Sequence, residues 1–257
     1  MKRIESTQNA LVKQWKKLAT MKKERDKTGE FLVEGFHLIE EALQQKEQIK
    51  HLIVQEDVDL PLLWPIDDVV LIQVTEAVAK ELAETETTQG VFAHCIQRQP
   101  SEEAIATWQK ILLVDAVQDP GNIGTMIRTA DAAGMDAIIL GKGSADAYNS
   151  KTLRSAQGSH FHVPVLRGDL ETWLEQLQNR QITVYGTALT EQAQPYTTLQ
   201  RSEKFALLVG NEGSGIHPQL LAKTTQNVTI PILGQAESLN VAVATGILLF
   251  ALVLPSE

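Results

Sequence analysis

Several features that would define a protein class are scarce or missing in this sequence. The single cysteine, Cys95, excludes an intramolecular disulfide, and residues 1–5 lack the apolar stretch of a signal peptide. The longest apolar run, residues 241–254, is shorter than the roughly 20 residues that cross a bilayer, and Thr245 and Gly246 interrupt it. The sequence therefore predicts a cytoplasmic protein in which this run is a buried helix.

The motifs of several common enzyme classes are also absent. No histidine belongs to a G-x-S-x-G nucleophile motif, and no His/Cys cluster has the spacing of metal ligands. The glycine-containing loops lack the lysine and Ser/Thr ending of a phosphate-binding P-loop. These absences weigh against metalloenzymes, NTPases and serine hydrolases, and we expect no metal. The six histidines are interpreted as surface or core residues: His37, His51, His94, His160, His162 and His217.

Basic residues are in the minority, but they are unevenly distributed. Hydrophobic residues make up 43% of the 257 residues and charged residues 21%, which predicts a globular protein with a sizeable core. The net charge of −9 is unusual for a protein that binds nucleic acid. Residues 1–27, however, hold nine Lys/Arg against three Asp/Glu. This segment is either a solvated helix face or a basic RNA-binding arm, whose candidate contacts are Lys13, Lys16, Lys17, Lys22, Lys23, Arg25 and Lys27.

Hydrophobic periodicity divides the chain into two α/β domains. In the first, residues 1–97, the pattern predicts helices at 8–24, 31–45 and 75–84 and strands at 51–55, 69–74 and 91–96. The polar segment 98–109 is interpreted as a linker.

The second domain, residues 110–257, alternates short apolar strands with helices. Such continuous apolar strands are typical of a parallel sheet covered on both faces. The strands are predicted at 111–114, 137–140, 162–166, 183–185, 206–209 and 228–232, and the helices at 122–133, 150–157 and 169–178 and from about residue 238. Residues 238–252 are apolar on nearly every face, so this last helix lies either in the core or at a subunit interface.

Three glycine-containing loops follow predicted strands of the second domain, where ligands bind in open α/β sheets. They span residues 119–128, 210–215 and 230–240. Each loop alone is ambiguous, because glycine is common in structural turns. Asn122, for example, lies where a helix begins and fits its N-cap, whereas Arg128, nearly two turns further on, is expected on a face that points back toward the ligand crevice.

Taken together, the three loops resemble the motifs of the SpoU (TrmH-type) RNA ribose 2′-O-methyltransferases. The matching residues are Asn122-x-Gly-x-x-x-Arg128, then Gly210-Asn-Glu-Gly-x-Gly215, then Ile230-Pro followed by Glu237-Ser-Leu-Asn-Val241. The resemblance covers about residues 110–254. It implies an α/β domain with a deep trefoil knot, S-adenosylmethionine as cofactor, and a homodimer formed through the knotted domain.

The resemblance also implies roles for individual residues. Arg128 would be the central catalytic residue, and Asn122, Glu212, Ser238 and Asn240 would hold it or the nucleotide. A guanidinium is almost always protonated, which favours phosphate clamping and orientation over action as a general base, but the alternative stays open. Cofactor binding is carried over to Gly210, Ile230, Leu239 and Thr187. Ile232 and Ala242 depart from the usual methionine and serine of the third motif.

The first domain is similar to an L30e-like RNA substrate-binding extension of the same family, on the basis of residues 30–35 and the basic helix before them. The leading hypothesis is an enzyme that methylates a structured RNA, with rRNA favoured over tRNA. The alternative is a catalytically inactive RNA-binding or ribosome-assembly protein that retains the knotted fold.

Overall fold

The computed structural model describes residues 2–45, 48–190, 192–199 and 202–253. The chain forms two compact units. One comprises Met1–Gln99 and Tyr148–Phe161, and the other comprises Pro100–Ala147 and His162–Glu257.

The first unit is built on a mixed five-stranded sheet. Its N-terminal elements are β1 (Lys2–Ile4), α1 (Ala10–Thr20), α2 (Lys22–Thr28), β2 (Glu30–Glu34), α3 (Phe36–Leu43), β3 (Ile49–Gln55), β4 (Leu71–Val74), α4 (Glu76–Leu82) and β5 (Val91–Ile96). The strand order is β1-β4-β3-β5-β2. β1, β4 and β3 are parallel, and β5 is antiparallel to both β3 and β2.

The remaining elements belong mostly to the second unit. They are α5 (Glu102–Thr107), β6 (Lys110–Val114), α6 (Pro120–Ala132), β7 (Ala137–Leu140), α7 (Ser150–Ala156), β8 (Val165–Arg167), α8 (Leu170–Asn179), β9 (Thr183–Thr187), β10 (Gln194–Pro195), β11 (Phe205–Val209), α9 (Pro218–Leu221), β12 (Gln226–Thr229) and α10 (Val241–Val253). All pairings in the seven-stranded sheet, of order β10-β12-β9-β11-β6-β7-β8, are parallel. The predicted parallel α/β domain is confirmed, whereas the trefoil knot stays a prediction.

Burial follows the sequence pattern. Every residue of β7 and β11 is buried, as expected for strands covered by helices on both faces. One helix, α7, and the 3₁₀ turn Ser159–Phe161 cluster with the first unit, although they lie between β7 and β8 in the chain. Within the described residues, no helix is long and apolar enough to cross a membrane.

Two of the predicted helices were wrong in part. The segment predicted as a helix over 31–45 begins as strand β2, because Phe31, Leu32 and Val33 are buried in a strand that pairs with β5. Gly29 and Gly35, at φ +66° and +102°, separate this strand from α2 and α3 in conformations that favour glycine. The predicted helix 8–24 is divided at Met21, which has extended backbone angles, into α1 and α2.

The segment 98–109, predicted as a linker, contains α5. Ile105 and Trp108 pack against the core of the second unit. The guanidinium of Arg180 donates hydrogen bonds to the carbonyl oxygens of Ile105, Ala106 and Trp108. Part of this segment therefore belongs to a packed core, although its composition is polar. The domain boundaries at 97 and 110 stay predictions.

A polar network is buried inside the first unit. The indole N–H of Trp15 lies 3.2 Å from Nδ1 of His94, and Nε2 of His94 lies 2.9 Å from a carboxylate oxygen of Glu30. Because an indole N–H can only donate, Nδ1 of His94 accepts and the neutral ring carries its proton on Nε2. Nδ1 of His51 lies 3.1 Å from the same acceptor. Protonation of His94 would place an N–H on Nδ1, where it would face the N–H donors of Trp15 and His51.

Burial lowers the pKa of His94 and of His51 below the ordinary histidine value, although the Glu30 carboxylate opposes this change. The pKa of Glu30 itself is lowered: burial would raise it, but hydrogen bonds from Lys50 and His94 prevail. In the unfolded chain both histidines take up protons at a higher pH than in the fold. Acidification through that range consequently favours the unfolded state.

We predict that the free energy of unfolding falls when the pH is lowered from about 7.5 to about 5.5. His94→Gln cannot be protonated, so it should reduce this pH dependence, and at the higher pH it should destabilise the protein by about 1–3 kcal/mol because the buried contacts to Trp15 and Glu30 are weakened. Urea unfolding followed by tryptophan fluorescence measures both effects. The exposed His37, changed to Gln, is the control and should behave as the wild type. A wild-type stability that is flat over this range would contradict the prediction.

Candidate active site

The three glycine-containing loops of the sequence analysis follow β6, β11 and β12. β11 pairs with β6, and β9 lies between β11 and β12. Since all these strands are parallel, their carboxyl ends lie at one edge of the sheet, and so do the three loops.

The carboxylate of Glu212 joins the second loop to the first. It accepts hydrogen bonds from the backbone N–H groups of Gln118 and Asp119, both at 3.2 Å, and from the side-chain amide of Asn122 at 3.0 Å. Burial would raise the pKa of Glu212, but the hydrogen bonds, led by that from Asn122, lower it. The group is therefore an ionised carboxylate at neutral pH and a poor general base.

The third loop joins this network through Asn240. Its amide nitrogen donates to the side-chain oxygen of Asn122 at 3.0 Å, and its own side-chain oxygen accepts from the backbone of Ala242 and Val243 at the start of α10. Three of the five predicted catalytic residues, Asn122, Glu212 and Asn240, are thus in direct contact. One oriented chain of amides and a carboxylate links the three motifs.

The sequence is compatible with Asn122 as the N-cap of α6. The structure assigns the cap to Asp119, whose carboxylate accepts from the backbone N–H of Asn122 at 2.9 Å. Pro120 occupies the first helical position, where no backbone N–H is needed. The side chain of Asn122 is therefore available to bridge Glu212 and Asn240. The Asp-Pro-Gly sequence at 119–121 carries the capping signal that would have identified Asp119.

The second loop is a tight turn closed by reciprocal backbone hydrogen bonds of 3.0 Å between Asn211 and Gly215. A Cβ on Gly210 would lie 2.2 Å from backbone atoms of Gly215 and Ile216, so only glycine fits there. The side chain of Asn211, which the sequence analysis did not single out, donates to the carbonyl of Ala116 at 2.8 Å. Ala116 itself has φ +53°, a strained conformation for a residue with a Cβ.

Next to these loops lies a cleft of about 590 Å³, within the range of small-molecule sites. All four residues carried over for the cofactor, Thr187, Gly210, Ile230 and Leu239, line it. Glu212, Ser238 and Asn240 line it as well. Its walls combine aliphatic side chains, including Ile216, Ile232 and Leu248, with the backbone of the glycine turn. Such a lining fits an adenosyl group bound through an apolar slot and backbone contacts.

Arg128 is not part of this lining. It lies on α6 six residues after Asn122, or about 240° further around the helix. Its side chain is exposed and makes no hydrogen bond or ion pair with the residues that the structure describes. A single chain therefore does not bring the predicted catalytic arginine into the cleft.

The predicted RNA-binding residues lie on α1 and α2 of the first unit. Lys13, Lys17, Lys22, Lys23 and Lys27 are exposed, whereas Lys16 is half-buried and pairs with Glu84 at 3.6 Å. Arg25 was wrongly included. It is 3% exposed, and its guanidinium donates to the carbonyl oxygens of Leu18 and Ala19 at the end of α1, where it stabilises the α1–α2 junction.

We predict that Gly210→Ala abolishes binding of S-adenosylmethionine, because the new methyl group meets backbone atoms that no rotamer change can move. Gly213→Ala in the same loop is the matched control, since its Cβ would have only an ordinary contact, at 3.6 Å from Asn211. Isothermal titration calorimetry measures the affinity, and circular dichroism verifies the fold. Equal affinities for the two variants would show that the close approach at Gly210 has no bearing on cofactor binding.

Comparison with known proteins tests the family assignment. The sequence pattern of the SpoU rRNA methylase family matches residues 109–250, and that of the MRM3-like substrate binding domain matches residues 9–93. A 23S rRNA (guanosine(2553)-2′-O)-methyltransferase, RlmP, of Bacillus subtilis is 53% identical over 254 residues, which cover 98% of this chain and 99% of the relative.

Solved structures agree with these sequence matches. An AdoMet-bound rRNA methyltransferase from Sinorhizobium meliloti is 31% identical, with a TM-score of 0.84 over 97% of this chain and 96% of that one. The SpoU methyltransferase AviRb from Streptomyces viridochromogenes, in complex with the cofactor AdoMet, is 28% identical, with a TM-score of 0.82 over 96% and 97% of the two chains. The chain therefore belongs to the SpoU rRNA methylase family and is an S-adenosylmethionine-dependent RNA 2′-O-methyltransferase.

Proposed function

We propose that the protein methylates the ribose 2′-hydroxyl of a guanosine in 23S rRNA. The observation that carries the proposal is the contact network of Asn122, Glu212 and Asn240 beside a cleft lined by every predicted cofactor residue. The choice of RNA rests on the identity, over nearly the full length of both chains, with the 23S rRNA guanosine methyltransferase of Bacillus subtilis. Because rRNA is the proposed substrate, we place the enzyme in the cytoplasm.

The proposed mechanism assigns binding and orientation to the residues of the site. S-Adenosylmethionine supplies an electrophilic methyl group on a sulfonium. Gly210, Ile230, Leu239 and Thr187 would hold it in the cleft. Glu212 fixes the side chain of Asn122, and Asn240 and Ser238 at the cleft wall would position the nucleotide. Bringing donor and acceptor into line provides much of the rate enhancement in a transfer of this kind.

Arg128 would bind the phosphate next to the reacting ribose and orient the 2′-hydroxyl. A guanidinium remains protonated at neutral pH and forms bidentate hydrogen bonds with phosphate, so this role suits it better than that of a general base. Since Arg128 is outside the cleft of its own chain, we propose that the active enzyme is a homodimer in which a second copy completes the site.

The surface of the second unit supports dimer formation through α10. This helix is apolar on all sides, and Val243 and Phe250 are 53% and 39% exposed in the single chain. Leu239, just before the helix, is 37% exposed. Large apolar side chains at such positions are typical of a protein interface.

The function is tested with purified enzyme, labelled S-adenosylmethionine and two RNA substrates, which are 23S rRNA and a mixture of tRNAs. We expect one methyl group per 23S rRNA, located on a guanosine ribose by primer extension at low nucleotide concentration. Methylation of tRNA alone would overturn the choice of substrate. Binding of 23S rRNA without any transfer would instead support the inactive RNA-binding alternative.

We predict that Arg128→Ala lowers the single-turnover rate by about 100-fold or more, because a group that positions the transition state is lost. The affinity for S-adenosylmethionine should stay within about twofold, since Arg128 does not line the cleft. Thr125→Ala, also exposed on α6, is the control and should retain the wild-type rate. A near-normal rate for Arg128→Ala would remove this residue from the mechanism.

We further propose that the exposed lysines of α1 and α2 bind RNA phosphates. If so, affinity for 23S rRNA should fall with salt concentration, and Lys13→Glu/Lys17→Glu should reduce both the affinity and the slope of log K against log salt, by about 0.7 per lost contact. Lys80→Glu/Lys204→Glu is the control, because it makes the same change in net charge at exposed positions outside α1 and α2. Filter binding at several salt concentrations measures the affinity and the slope for both double variants. Equal slopes for both double variants would mean that α1 is only a solvated helix.

A further inference from the structure

The first unit contains a second cleft, separate from the cofactor site. Its volume is about 140 Å³, enough for on the order of ten water positions. The floor is apolar and comes from strands and helices of the unit: Leu32, Leu38, Leu82, Phe92 and Leu153. An apolar cleft of this size suits a single planar ring.

The polar side of the cleft is held in place by side-chain hydrogen bonds. Gln89 accepts from the backbone N–H of Phe36 at 2.9 Å, which fixes the loop before β5 against the start of α3. The hydroxyl of Thr85 lies 3.2 Å from Oε1 of Glu34. Glu34, Thr85 and Gln89 all line the cleft, and Oε2 of Glu34 has no hydrogen-bond partner among the residues that the structure describes. The cleft therefore presents a carboxylate acceptor in a fixed position.

One cationic side chain stands at the cleft. Arg154 of α7 is exposed and lines the rim. Ala19 of the basic helix α1 also lines the cleft, and Lys16 of the same helix pairs with Glu84 in the lining. The helix that carries several of the lysines proposed to bind RNA phosphates therefore borders the cleft.

We propose that this cleft binds one unstacked guanine nucleotide of the RNA substrate. The base lies on the apolar floor, its N1–H and N2 amino groups donate to Glu34, and a neighbouring phosphate contacts Arg154. Sequence-specific recognition of RNA commonly uses such splayed bases, held by stacking and by hydrogen bonds to their Watson–Crick edge. A free phosphate is a poor occupant, because the carboxylates of Glu34 and Glu84 line the cleft. The inference rests on the proposed function, in that the substrate is RNA.

The first test uses guanosine 5′-monophosphate as a probe of the full chain with labelled leucine and isoleucine methyl groups. Titration should shift the methyl signals of Leu38, Leu82 and Leu153. Inosine 5′-monophosphate, which lacks the N2 amino group, should bind at least threefold more weakly, and Glu34→Gln should abolish that preference. Shifts confined to the cofactor cleft, or equal affinities of the wild type for both nucleotides, would overturn the proposal.

The second test uses 23S rRNA. Arg154→Gln should raise KM severalfold and reduce the salt slope of binding by about 0.7, with kcat and cofactor affinity unchanged. Lys80→Gln, an exposed charge on α4 outside the lining, is the control. If the wild type methylates 23S rRNA and Arg154→Gln matches Lys80→Gln, the cleft has no role in RNA binding, although the proposed function stands. If the wild type methylates tRNA and no rRNA, the proposed function fails, and the nucleotide titration still decides whether the cleft binds guanine.

Discussion

The ionised carboxylate of Glu212 is the group on which the arrangement of the candidate active site depends. Its contacts with two backbone N–H groups and the amide of Asn122 hold the loop after β11 against the start of α6. Asn122 in turn receives Asn240, which caps α10. Each of these groups is oriented by the next, so one continuous network spans the three loops. A network that holds side chains in place reduces the entropy cost of aligning two reactants.

Two backbone features, the close approach at Gly210 and the strained conformation of Ala116, adjoin this network. The close approach of Gly210 to Gly215 and Ile216 makes the second loop narrow, and Asn211 ties it to the carbonyl of the strained Ala116. A conformation that costs free energy persists only where surrounding contacts impose it. Here the contact to Ala116 comes from Asn211, the residue before Glu212 in the chain. The geometry of the second loop and the placement of the Glu212 side chain are consequently linked.

The sequence predicted the parallel sheet because continuous apolar runs, such as those of β7 and β11, are a local pattern. Gly210, Ile230 and Leu239, carried over from the resemblance to the SpoU motifs, line one cleft, and their role in cofactor binding stays a prediction. The predictions that failed concern features that depend on tertiary contacts. In the sequence, Arg25 cannot be distinguished from the other basic residues, because its burial depends on the contact of its guanidinium with the end of α1. Similarly, β2 is a strand because β5 pairs with it. Likewise, nothing in the sequence of α7 indicates that it clusters with the first unit.

A protein of net charge −9 that acts on a polyanion presents an apparent conflict, which the placement of its charges resolves. The carboxylate of Glu212 is stabilised by three N–H donors, so its charge requires no neighbouring cation. Five lysines of α1 and α2, two consecutive helices of the first unit, are exposed to solvent. At physiological ionic strength, charges more than about 8 Å from a phosphate are largely screened. If these lysines contact RNA phosphates, as proposed, affinity for RNA follows the local density of cations and not the sum of charges over the chain.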